Sequence, residues 1–108
     1  MVETIKAEEL KEKMDNEEDF TLINVLSRDE YKKEHIPGSI NIPYKEIAQH
    51  SDGLEKDDEI IVHCSDIFCD ASPTAASKLE KLGFENVIDF EGGMDEWKEK
   101  GYPVVKGG

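Results

Sequence analysis

The chain has 108 residues, enough for one domain with a modest core and too few for two. A formal net charge of −13 excludes nucleic acid and anionic membrane as ordinary partners, since both demand a basic face. With 37% hydrophobic and 36% charged residues, the aliphatic side chains still fall in short patterned bursts, so a folded domain is expected. No apolar run approaches the roughly 20 residues of a membrane span, and the N-terminus lacks a basic-then-apolar signal sequence. Two cysteines cannot make a disulfide scaffold, so free thiols in a cytoplasmic protein are expected.

Ala7, Leu10 and Met14 recur at helical spacing, predicting an amphipathic helix over Ala7 to Met14 that Asp15-Asn16 ends. Phe20 to Val25 has the β-branched and aromatic content of a strand, and Ser27 reads as the N-cap of a helix over Arg28 to Glu34, with Tyr31 facing inward. His35-Ile36-Pro37-Gly38 reads as a turn, followed by a short extended piece in which Ile40 and Ile42 alternate and which Pro43 closes. Tyr44 to His50 predicts a brief helix around Ile47, then a polar connection from Ser51 to Glu59 turning at Gly53. The apolar run Ile60-Ile61-Val62 reads as a buried strand that delivers Cys64 to its end. Beyond a loop, Ser72 reads as an N-cap and Pro73 as a first helical position, with Ala75, Ala76, Leu79 and Leu82 on one face and Gly83 at C′. Val87 to Phe90 reads as a strand, and Gly92-Gly93 permits a close approach into a last helix that carries Trp97 in the core and stops at Gly101. Strands alternating with short helices predict a single α/β domain over residues 1–108, with a mainly parallel sheet and its site at the carboxyl ends of the strands.

That site falls between the central strand and helix. A helix start leaves backbone N–H groups unpartnered and carries partial positive charge, so an anion in front of it is stabilised. Cys64, placed there, can have its pKa lowered and attack sulfur as a thiolate; the alternative is a buried structural cysteine. Cys69 has two readings: it resolves a Cys64 sulfenate or persulfide as a disulfide, or it packs with Ile67 and Phe68. Ser65 and Ser72 can donate hydrogen bonds to a bound sulfur, although a cap is the simpler role for Ser72. His63 precedes Cys64 in an extended run and points to the opposite sheet face, which argues against a dyad. His35 reads as a structural hydrogen-bonding residue. His35, His50 and His63 lack metal-ligand spacing, so no metal and no cofactor are expected.

The segments LINVLSRDEYKKEHIPGSINIP, IIVHC with its loop and helix, and GFENVIDFEGGMDEW resemble, in order, the single-domain rhodanese family of sulfurtransferases. The resemblance implies a five-stranded α/β sheet and a loop cysteine that accepts a sulfane sulfur as a persulfide. By that match Cys64 is the catalytic cysteine, and Ser65, Asp66, Ile67, Phe68, Cys69, Asp70, Ala71 and Ser72 form the substrate-binding loop. The donor is then a small sulfane-sulfur compound or a protein persulfide, and the acceptor a thiol. Three departures stand out. Asn24-Val25-Leu26 replaces the family's Asp-Val-Arg, and seven residues, Ser65 to Ala71, separate Cys64 from Ser72 where about five are usual. The loop also carries Asp66 and Asp70 and no basic residue, so thiosulfate meets like charge and is expected to be a poor donor. Phosphatases and arsenate reductases of related fold need an arginine in C-x5-R, where this chain has Asp70, so that chemistry is disfavoured. A sulfurtransferase is the primary expectation, with a weakly catalytic binding or regulatory module, or a thiol redox protein, as the alternative.

Overall fold

The computed structural model describes residues 2–107. Five parallel strands form one sheet in the order β1-β5-β4-β2-β3: β1 Glu3–Thr4, β2 Thr21–Asn24, β3 Ile40–Asn41, β4 Glu59–His63 and β5 Asn86–Phe90. Between them run α1 Ala7–Asp15, α2 Arg28–Lys33, α3 Ile47–His50, α4 Ala71–Lys81 and α5 Gly93–Glu99. Short 3₁₀ turns over Tyr44–Glu46 and Ser51–Gly53 flank α3.

The central strand is buried on both faces, as a parallel sheet covered by helices requires. Ile60, Val62 and Cys64 face a core shared with Ala75, Ala76 and Leu79 of α4 and Ile47 of α3. Ile61 faces the other core, with Leu10 of α1 and Met94 and Trp97 of α5. Each such aliphatic side chain contributes about 1.5–3 kcal/mol on burial. One strand therefore ties both layers together and holds its carboxyl end rigid.

Local chemistry explains the element ends. Ser27 Oγ accepts from the Glu30 N–H at 3.3 Å, so its capping role is realised. Gly38, at φ +86°, completes a turn closed by the Ser39 N–H donating to Ile36 O. The His35 ring stacks on Tyr31, its Nδ1 lies 2.9 Å from Tyr31 O, and its backbone bridges to Val105, a structural role. α4 ends in a Schellman arrangement, with Phe84 N–H donating to Leu79 O and Gly83 N–H to Glu80 O.

Three expectations are corrected. β1 has no counterpart in the sequence reading, because two exposed residues carry no alternation. Ile40 is exposed while Ile42 is buried, because Ile40 lies on β3, a two-residue strand at the sheet's edge. Ser72 is not the N-cap: α4 starts at Ala71 with Asp70 in the cap position, its side chain making no capping bond. Pro73 then occupies the third helical position rather than the first, tolerated because the first-turn N–H groups have no partner within the helix. With the cap at Asp70, five residues, Ser65–Cys69, separate Cys64 from the helix start, two fewer than the seven expected.

Candidate active site

β4 ends at His63, and Cys64 follows with its side chain toward α4. Its Sγ lies 3.5 Å from Ser72 Oγ in the first turn of that helix. Helix partial charge there is positive and favours a sulfur anion. Near Ser72 lies Asp89 of β5, opposite Val62 in register, with its Oδ1 buried without a partner among the described residues. Burial pushes the Asp89 carboxyl above its usual range, and the nearby Ser72 hydroxyl opposes that.

Backbone contacts fix the cysteine from behind. The Met94 N–H donates to Cys64 O at 3.0 Å, and the Asp95 N–H to Ser65 O at 2.7 Å. Gly93, at φ +55°, makes this approach possible, since a Cβ there would collide with the Cys64 carbonyl. His63 projects to the opposite face toward Phe90, as expected, and its Nδ1 lies 3.1 Å from the same Cys64 O. That carbonyl accepts, so Nδ1 carries the proton and Nε2, buried without a partner among the described residues, does not. Burial lowers the His63 pKa to about 4.

The loop departs from two expectations. Cys64 and Cys69 are not free thiols: they are joined as a disulfide, with Cα atoms 6.4 Å apart. Nor does Cys69 pack with its neighbours, because Ile67 is 66% and Phe68 89% exposed, whereas Cys64 is 0% exposed. Asp66 organises the curl: its Oδ1 accepts from Phe68 N–H at 3.0 Å and its carbonyl from Cys69 N–H at 3.1 Å. Two loop amides are thus engaged locally rather than turned toward a substrate.

Asn24 and Leu26 have found roles of their own. Asn24 Oδ1 accepts from Leu26 N–H at 2.9 Å, holding the chain where it leaves β2. Leu26 lines a cleft of about 290 Å³ beside Ser65 and Asp66, with Met94 opposite. Glu30, Glu34, Asp66 and Asp95 set four carboxylates there against the ammonium groups of Lys33 and Lys98, and Lys98 is already paired with Glu34. Sequence reasoning identifies Cys64, its loop and a close approach at Gly92-Gly93, but neither Asp89 nor the Cys64 carbonyl as the partner of that approach. Strand parity was the available signal for Asp89, which lies two residues beyond Val87 and opposite Val62 in register.

Comparison with known proteins bears on family and fold. The Rhodanese-like domain family matches residues 6–100. YrkF of Bacillus subtilis, whose name proposes it as a sulfur carrier, is 35% identical over 89% of this chain, which spans 51% of YrkF. A sulfurtransferase of Allochromatium vinosum is 26% identical over 97% of this chain and 96% of its own length. The solution structure of the rhodanese-like domain of Alr3790 from Anabaena superposes with a TM-score of 0.88 at 30% identity, covering 98% of this chain and 80% of that one. No described helix is long and apolar enough to cross a membrane. In sequence and in fold, the chain belongs to the rhodanese-like domain family.

Proposed function

We propose that this domain is a sulfurtransferase in which Cys64 accepts a sulfane sulfur as a persulfide and passes it to an acceptor thiol. The observation that carries the reading is the position of Cys64 Sγ, at the end of β4 and 3.5 Å from Ser72 Oγ in the first turn of α4. Relatives named for sulfur carriage and sulfur transfer support it. Reduction of the Cys64–Cys69 disulfide by a thiol frees the nucleophile. The Cys64 thiolate then attacks the outer sulfur of the donor, the donor's remainder leaves with the electron pair, and the terminal sulfur stays on Cys64. The Ser72 hydroxyl oxygen, 3.5 Å from the sulfur, is placed to accept a hydrogen bond from the Cys64 thiol. An acceptor thiolate next attacks the terminal sulfur and releases the Cys64 thiolate.

The acidic cleft and the acidic loop select among donors. With Asp66 and Asp70 on the loop and no loop cation, a thiosulfate dianion is opposed, and a thiol-bound or neutral persulfide is the preferred donor. Mass spectrometry of reduced protein after exposure to such donors tests the proposal. A one-sulfur adduct on wild type that disappears in Cys64→Ser is the expected result. An adduct confined to Cys69, or none with any donor, would leave a binding or regulatory module as the better reading.

A further inference from the structure

We propose that Cys69 converts the Cys64 persulfide into hydrosulfide, so that the domain reduces sulfane sulfur as well as transferring it. The inference rests on the reading of Cys64 as the persulfide carrier. In this step the Cys69 thiolate attacks the inner sulfur of Cys64–S–SH, the bond between the two persulfide sulfurs breaks, and the outer sulfur leaves as HS⁻. The two-electron balance closes within the chain: one sulfane sulfur is reduced to sulfide, and two cysteine sulfurs are oxidised to a disulfide. An external dithiol then restores both thiols.

The structure has the geometry of that step's product. Cys64 and Cys69 are bonded with their Cα atoms 6.4 Å apart, inside the range of about 4.4–6.8 Å that disulfides usually span. The curl that brings Cys69 back is built into the loop by the two hydrogen bonds to Asp66. Access strengthens the argument. Cys64 is 0% exposed and held from behind by Met94 N–H and His63 Nδ1, so an outside thiol must reach into a closed site. Cys69 is already there, and an attacking group held in place gains a large advantage over one arriving from solution. Charge points the same way. Asp66 and Asp70 lie on the loop and no loop cation retains an anion, which favours departure of HS⁻. In the reset step Cys69, only partly buried, is the sulfur open to an incoming dithiol, leaving Cys64 as the buried thiolate beside Ser72.

A single-turnover measurement decides it. The reduced 108-residue protein, freed of small thiols under anaerobic conditions, receives one equivalent of an aryl thiosulfonate, whose sulfinate by-product does not reduce disulfides. Wild type should release close to one equivalent of sulfide, lose both thiols and end two hydrogens lighter with no added sulfur. Cys69→Ser should keep the one-sulfur adduct on Cys64 and release sulfide slower by about tenfold or more. Equal sulfide release by the two proteins, or a persistent adduct on wild type with Cys69 still reduced, would overturn the inference while leaving persulfide formation intact. Absence of an adduct from Cys69→Ser together with absence of sulfide from wild type would overturn the sulfurtransferase reading, and this inference with it.

Discussion

Acidification from pH 7.5 to pH 5 should weaken the fold by about 2 kcal/mol through His63 alone. The ring is wholly buried beside Phe90 on one face of the sheet, and burial lowers its pKa to about 4 from an ordinary 6.5, opposed only by its bond to the Cys64 carbonyl. A depressed histidine pKa means that the unfolded chain takes up the proton first. Stability is therefore full above the unfolded value and is lost as pH falls toward the folded value. At pH 5 the difference in proton binding amounts to about one and a half decades in the folding equilibrium, at about 1.4 kcal/mol per decade. That is a sizeable share of the roughly 5–15 kcal/mol typical of a domain. Urea unfolding of wild type and His63→Phe at both pH values isolates the effect, because the carboxylates titrate in both proteins and cancel. His63→Phe should start less stable, having lost the bond to Cys64, yet lose about 2 kcal/mol less on acidification. Equal losses in the two proteins would refute the argument, as would an NMR titration in which the His63 ring protonates near pH 6.5.

Asp89→Asn should stabilise the protein at neutral pH, because a buried carboxyl whose pKa is raised favours folding below its unfolded pKa and loses that contribution as pH rises through the folded value. The gain, read as a urea midpoint, should shrink as pH falls through the carboxylate range. Gly93→Ala should cost about 2 kcal/mol or more and slow persulfide loading, since positive φ strain adds to a collision with the Cys64 carbonyl. Gly101→Ala, at φ +75° with open space around it, should cost only about 1 kcal/mol and leave loading unchanged, both checked by thermal unfolding and mass spectrometry. Asp66→Asn and Asp70→Asn should each raise thiosulfate turnover roughly fivefold at low salt and neutral-donor turnover little, with the difference fading as salt is added. Asn at 66 keeps the side-chain acceptor for Phe68 N–H, so the loop's shape is preserved.

Much of the fold was legible because its signals are local. Ser27, Gly38 and Gly83 each occupy a position whose backbone requirement few residues meet, and the structure uses each as read. Ile60 to Val62 announced a strand buried on both faces, and parity alone separated His63 from Cys64. What escaped depended on tertiary placement. Ser72 beside Pro73 has the look of a helix start, yet Asp70 takes that position and Ser72 turns inward between Cys64 and Asp89. The pairing of Cys64 with Cys69 was one of the two readings the sequence left open, and the turn that Asp66 makes, which spacing does not specify, is what brings the two together. Ile67 and Phe68 carry apolar side chains but no pattern, and their exposure reflects a loop tip that no described residue covers.

The passage of one sulfur atom through Cys64 is the central claim, and labelled sulfur follows it most directly. A thiol-bound persulfide carrying the label on its outer sulfur is mixed with reduced Cys69→Ser, a background in which internal release is blocked, and an acceptor thiol is then added. The account predicts that the label appears first on Cys64 and then on the acceptor at matching rates, and that Cys64→Ser abolishes both. Label reaching the acceptor equally fast with Cys64→Ser, or never leaving Cys64 in the presence of acceptor, would contradict it.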